Sequence, residues 1–323
     1  MKTIVFYVFM FEKIMRINMI KPTESLRGQG RTSYGGAGGL FIRQIKSRLF
    51  LGIVCFLSAL IMAPLFFIIW ELLKKGYKQL NLSFFTEVAP TSMEAMFAKM
   101  NGDLIPGGIL NGLTGTLLML VIAIILSIPV GIMAGVYLAE KKNKAFANLI
   151  RTLADLLQGM PSIVVGIIVY AWVVKPMFSY SALAGSITLA IMMLPMIIRS
   201  TEESVKMLPL SLKEAGLALG ASYSAVVMKI LIPAAFGGLF TGSLLAVSRV
   251  MGETAPLLVT ALGASVVNWD ITHPTSAMPL LIWEFYNDPN LAGLVWSTSL
   301  LLLGIVLGLN LIAKSISKKW KIQ

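Results

Sequence analysis

Residues Glu214–Pro233 read EAGLALGASYSAVVMKILIP, and the reading of the whole chain starts from this stretch. It lies between two long apolar segments, yet it carries Glu214 and Lys229, with Lys213 just ahead of it. It is too polar to lie across hydrocarbon. Ser211 and Glu214 stand at capping-box spacing, which predicts a helix from Leu212. Gly220 is the residue able to take a left-handed conformation at that helix's end. A second short helix is expected from about Ser222 to Ile232, stopped by Pro233. The expectation is helix, glycine turn, helix, exposed on one side of a membrane.

Composition supplies the membrane. The chain has 323 residues, 57% of them hydrophobic and 13% charged, against about 25% charged in soluble domains. The formal net charge is +12. In a soluble protein that would point to nucleic acid. Here its placement argues for membrane orientation, and no nucleic-acid partner is expected. Cys55 is the single cysteine, so no intrachain disulfide is possible, and its apolar surroundings suggest a small buried core residue. His273 is the single histidine. Without a Cys partner or a second His, no structural metal site is expected.

Apolar run length gives six spans, roughly 49–73, 112–138, 150–174, 182–199, 235–261 and 291–313. The run VFYVFMF in residues 1–20 is far too short to cross about 30 Å of hydrocarbon. Residues 21–40 are rich in Gly, Ser and Thr, so 1–48 reads as a flexible tail and 314–323 as a short basic one. Residues 49–111 hold the first span and a long segment of mixed polarity. The core is 112–313, with the polar loop at about 211–233. Pro64, Pro129, Pro161, Pro195 and Pro256 each fall in a different span. Gly131/Gly135, Gly238/Gly242 and Gly304/Gly308 are small-xxx-small pairs that permit close helix contact. The last loop, 262–290, is aromatic, with Trp269, Trp283, Phe285 and Tyr286, and a short interfacial helix is expected at 278–286.

Lysine and arginine orient the spans. Nine lie in residues 1–48, four each in the second loop, in the fourth loop with its flanks and in the C-terminal tail, against five on the other side. The excess marks the cytoplasmic face. Both termini and the 214–233 loop are therefore expected in the cytoplasm. Arg249 is the remaining cation, inside the fifth span. If that span enters near Phe236, Arg249 lies roughly 20 Å along a helix. Its insertion there costs about 2.5–3.5 kcal/mol. Glu253 follows four residues later, at a spacing that allows pairing on one helix face. The pair either fixes helix packing or lines a translocation path. Guanidinium suits the latter, because its planar fork binds two oxygens of an oxyanion together. Arg199 ends the fourth span, either as a positive-inside anchor or as a second anion contact. Arg151 and Asp155, also four apart, are read as snorkelling to the interface. Glu214 either completes its capping box or contacts a partner.

These segments resemble a known family. Glu214, Ala215, Gly220, Ile230 and Pro233 fall in register with the EAA loop of ABC-importer permeases, with Gly216 for the second Ala and Ile232 for Leu. Arg249 with Gly252-Glu253-Thr254-Ala255-Pro256-Leu257-Leu258 resembles the fifth-helix signature of the PstA-type permease family of phosphate importers. Residues Pro195–Glu203 and Gly159–Gly166 resemble it too. The resemblance implies an all-α integral membrane protein of six transmembrane helices, with the MetI-like fold of type I ABC importers. It implies a non-catalytic subunit of a prokaryotic cell membrane that forms half the path for inorganic phosphate; another oxyanion such as molybdate or sulfate is the alternative. Arg249, Glu253 and Arg199 would line the path. Glu214, Ala215, Gly220, Ala221 and Pro233 would form the coupling loop. Implied partners are a PstC-like permease, two PstB-like ATPase subunits and an external PstS-like phosphate-binding protein. The chain has no Gly-x-x-x-x-Gly-Lys-[Ser/Thr] loop. No cofactor is expected on it, and ATP and Mg belong to the ATPase.

Overall fold

The computed structural model describes residues 37–141 and 144–319, with side chains described from 45 to 316 within them. The chain falls into two units, Met1–Leu65 and Phe66–Gln323. Of the expected tail, residues 1–36 lie outside the described residues. Residues 37–48 are helical, because α1 (Ala37–Gly76) starts well before the apolar run. From Leu49 on, the first unit's part of this helix is almost wholly apolar, and Leu49, Phe50, Phe56 and Ile61 are exposed. Cys55 is exposed as well, which corrects the core reading. Apolar neighbours in sequence do not imply protein packing when lipid is the solvent.

In the second unit, α2 (Leu82–Thr86) and α3 (Ser92–Asn101) follow α1. Asn81 caps α2 through Phe84 N–H. Thr91 and Glu94 form a complete capping box on α3. The hydrogen bonds from Thr91 hold the Glu94 carboxyl below its ordinary range. Next come α4 (Leu110–Glu140), α5 (Ala145–Gly159), α6 (Ser162–Met177), α7 (Ala182–Lys206) and α8 (Leu210–Ala218). They are followed by α9 (Tyr223–Val250), α10 (Ala255–Leu258), α11 (Met278–Asn287) and α12 (Ala292–Lys319). Among the described residues no strand occurs beyond one isolated bridge, Leu262 to Thr275.

Five helices are long and apolar enough to cross a membrane: Ile45–Gln79, Leu110–Glu140, Ala182–Lys206, Tyr223–Val250 and Ala292–Ile316. The expected third span is not one helix. It is the pair α5 and α6, bent by 107°. The cause is local: Pro161 forces Met160 into extended backbone (φ −72°, ψ 139°), so the helix ends at Gly159. Packing shows that the pair still makes a crossing. A Cβ on Gly131 would meet Ile197, and one on Gly135 would meet Thr201, so α4 and α7 run parallel. The chain must therefore return the length of the bundle between Glu140 and Ala182, and α5 with α6 is what returns it. Six crossings result, one of them in two pieces.

Two of the three small-residue pairs seat helices as expected. A Cβ on Gly135 would stand 2.7 Å from Ile198 O. On α9, Gly238 faces Ser204 Oγ and Gly242 faces Ser200 Oγ, with built Cβ distances of 2.1 and 2.0 Å. The third pair does not: Gly304 and Gly308 have nothing within 4 Å. The main core runs through Met119, Ala123, Leu189, Met193, Ala246, Val250, Leu257 and Ala261.

The opposite end of the bundle is capped by α2, α3 and α11. Phe84, Ile109, Met278, Leu281 and Phe285 form a second core there. Buried Asn111 ties this cap down, donating to Ala264 O at 2.8 Å and accepting from Ala89 N at 3.2 Å. The expected short helix at 278–286 is α11. It is more than interfacial, since Phe285 is fully buried while Trp283 and Tyr286 are exposed.

Candidate translocation path and coupling loop

The loop departs from its sequence reading in two places. α8 begins at Leu210 with Pro209 at its N-cap, and no side chain caps it, so Ser211 and Glu214 make no capping box. Proline supplies the extended N-cap backbone and lacks a donor where none is needed. Glu214 and Ala215 are exposed. Gly220 has φ +80°, as expected, and Ala221 N–H reaches back to Gly216 O at 3.3 Å. Ser222 caps the next helix through Ala225 N–H. That helix is not stopped by Pro233. It runs on as α9, through a π-helical turn at Val227–Leu231. The wider turn lies just where the proline ring would meet the carbonyl four residues back. The second loop helix is thus the start of the fifth span. Gly216, where the motif has Ala, lets α8 lie on α9: a Cβ there would be 2.7 Å from Ile230 Cδ1 and 3.0 Å from Val226 Cγ2.

Glu140, at the end of α4, holds this loop. Its carboxylate accepts from Tyr223 OH at 2.8 Å and pairs with Lys213. Lys213 and Lys141 also lie over the Tyr223 ring. The outward side of the loop shows Met207, Leu210, Leu217 and Leu219, the last 89% exposed. A cluster of exposed apolar side chains of this kind is a surface open to contact with another protein or with the membrane interface.

In the expected 235–261 span the long helix ends at Val250, and only the short α10 follows. Gly252 and Pro256 follow too closely for the helix to continue. Arg249 lies in its last turn, where helix carbonyls favour a cation. The pairing of Ser204 with Gly238 and of Ser200 with Gly242 gives an antiparallel register. Extended along both helices, it puts Arg249 level with Met193, near the middle of α7. The helix therefore breaks inside the bundle. From there the chain runs through buried Pro256, Leu257 and Thr260 to the start of α7, where Thr260 O accepts from Ser181 N at 3.1 Å. Gly166 on α6 packs against this run, with a built Cβ 2.8 Å from Pro256 Cα. Two motifs distant in sequence, Gly159–Gly166 and Gly252–Leu258, thus meet. Irregular backbone at this depth is tolerated only where protein buries it or where it lines a cavity.

Arg249 is exposed and Glu253 half-buried. Among the described residues no ion pair joins them. The expected pairing assumed a helix that ends before Glu253 is reached.

Arg199 is six residues from the level of Arg249 in this register, about 9 Å along the axis. The two are not brought together. Arg199 instead pairs with Asp155 and faces Glu202 at 3.9 Å. Arg151 bonds Glu202 at 2.9 Å rather than Asp155. Both pairs cross between α5 and α7, because those helices run antiparallel with these faces together. Glu202, 2% exposed, also takes Lys206 at 2.5 Å. Sequence reading missed Glu202 and Glu140. The signal was there, in a glutamate three residues past Arg199 and another at the end of a span.

Residues 127–322 match the family of binding-protein-dependent transport system inner membrane components. The phosphate transport system permease protein PstA of Yersinia pestis is 39% identical over 263 residues, covering 80% of this chain and 86% of that one. The PstA protein of Haemophilus influenzae is 34% identical, covering 84% of this chain and 94% of that one. The probable PstA protein of Methanocaldococcus jannaschii is also 34% identical, covering 83% and 92%. Among solved structures, a chain of the inward-facing MetNI methionine ABC transporter aligns with TM-score 0.55 at 22% identity, covering 65% of this chain and 95% of that chain. With its bundle, its helix broken after Arg249 and its glycine-turn loop, this chain is a multi-pass membrane protein that belongs to the binding-protein-dependent transport permeases and, within them, to the PstA family.

Proposed function

We propose that this chain is the permease subunit of an ATP-driven importer of inorganic phosphate and forms half of its translocation path. The observation that carries the reading is the likeness to PstA permeases along most of the chain. Arg249 supports it physically. A cation at mid-bundle, exposed on its own chain and without an ionic partner among the described residues, is costly against lipid. A partner permease covering that face would turn it into a polar path. There the guanidinium fork would meet two phosphate oxygens. Glu253, across the helix break, would line the same path without pairing with Arg249. Arg199, further along α7, would be the second anion contact.

The loop at 207–222 would dock on a separate ATPase, which carries the ATP and Mg. Glu214, Ala215 and the exposed leucines would touch it; Gly220, Ala221 and Pro233 would set the shape of the loop. On this reading the loop and both termini face the cytoplasm. An external phosphate-binding protein would deliver substrate at the end capped by α11. The deciding experiment is ATP-dependent phosphate uptake by the complex reconstituted in vesicles, with sulfate and molybdate as competitors. Phosphate accumulation that neither competitor reduces is the expected result. Uptake of a competitor in preference to phosphate would replace the substrate, and no ATP-dependent uptake of any oxyanion would overturn the reading.

A further inference from the structure

We propose that Glu202 is a positioning residue in a polar relay that connects the coupling loop to the helix break of the third span. The inference rests on the permease reading above. The relay is continuous in space. Tyr223 and Lys213, on the two helices of the loop, both hold Glu140. Two residues back along α4, Leu138 O accepts from Arg151 Nη2 at 2.8 Å. Arg151 Nε donates to Glu202 Oε1 at 2.9 Å. The other oxygen of Glu202 has no hydrogen bond among the described residues and faces Arg199 at 3.9 Å. Arg199 closes on Asp155, which lies five residues before Met160, where the crossing bends by 107°.

The energetics favour coupling over mere support. A carboxylate as buried as Glu202 carries a desolvation cost that a well-packed apolar residue would not. Its bonds reach Arg151 on α5 and Lys206 on α7, and Arg151 in turn bonds Leu138 O on α4, the helix that holds the loop. Moving the loop moves Glu140 and the end of α4, and the Leu138 carbonyl moves with them. Arg151 must follow or lose its bond, and Glu202 then shifts toward or away from Arg199. The result is a tightened or released Asp155, and hence a changed angle at the Gly159–Pro161 break that packs beside the path through Gly166.

The test uses the two exposed ends of the relay, so that folding is not at stake. Tyr223→Phe removes one hydroxyl, and Asp155→Asn removes one charge. Each is put into the full complex, singly and together, beside Glu202→Gln. The first readout is phosphate accumulated per ATP hydrolysed. Each single variant should lower it by roughly 5-fold or more, in the range of ordinary coupling between sites. The double variant should be no worse than the worse single one. Distant sites that act independently multiply their effects to within about a factor of two. The second readout needs no substrate. In a Cys55→Ser background, Gln158→Cys should change its labelling rate when a non-hydrolysable ATP analogue binds, and Tyr223→Phe should abolish that change. Multiplying losses, or a labelling change that survives in Tyr223→Phe, would overturn the relay. An unmodified complex that accumulates no phosphate would instead sink the permease reading, and the labelling would still decide the relay.

Discussion

Gly220 allows backbone conformation to be separated from contact. Its φ is +80°, and a Cβ built on it meets nothing within 4 Å. A side chain there therefore costs only conformational strain. For an L-residue in the left-handed region this is about 1–2 kcal/mol, less for Asn, which visits that region readily. A β-branched residue is worse than Ala. None of these costs approaches the roughly 5–15 kcal/mol that holds a domain folded, so every variant should insert and fold as the parent does. The strain is relieved when the turn leaves its left-handed form, which swings α8 away from Tyr223 and Glu140. At 1–2 kcal/mol the docking geometry becomes about 5–30-fold less populated. ATPase co-purification and ATP-dependent uptake should then fall in the order Gly, Asn, Ala, Val. Gly220→Asn should keep most activity and Gly220→Val little. Equal losses for Asn and Val would mean that side-chain bulk at the ATPase contact, not φ, is what matters. Normal uptake with Val would refute the role of the turn altogether.

The helix contacts predict a contrast between two glycine pairs. Gly135→Val should push α4 from Ile198 O and Thr201, costing about 1–3 kcal/mol by overpacking and lowering the yield of folded chain in detergent. Gly304→Val, with open space around it, should leave this chain's own melting temperature unchanged. For the path, Arg249→Lys keeps the charge but loses the planar fork. It should assemble and transport at least about ten times more slowly, the cost of one lost charge-assisted bond. The Arg249→Leu, Glu253→Leu double variant should assemble and not transport; uptake near normal would leave Arg249 as a helix-end cation only. Orientation is read with single cysteines at exposed Ser222 and Ser265 in a Cys55→Ser background. They should label from opposite faces, Ser222 from the cytoplasmic one, and labelling from one face would break the six-crossing count.

Much of the loop was legible because its signals are local. A glycine that must adopt positive φ, a helix restarting near Ser222 and charged flanks act over a few residues, and each appears in the fold. Capping at Ser211 and Glu214 was equally local and did not appear, because Pro209 had already set the N-cap two residues earlier. Run length found the spans but not their breaks. Pro64, Pro129 and Pro195 sit inside continuous helices, whereas Pro161 and Pro256 mark interruptions. Proline alone does not distinguish these cases. What distinguishes them is whether neighbouring backbone can satisfy the freed carbonyl.

By itself the sequence determined that this is a polytopic helical membrane protein with a polar, glycine-turned loop between two of its spans. Those features follow from hydropathy and turn chemistry, both additive along the chain. Only the tertiary structure decided who meets whom. It joined Gly166 to Pro256, gave Asp155 to Arg199 and Arg151 to Glu202, and placed Arg249 at mid-bundle without Glu253. Partner choice of this kind depends on helix register and direction. Register is set by where glycines let backbones approach, a property of two helices together that neither segment carries alone.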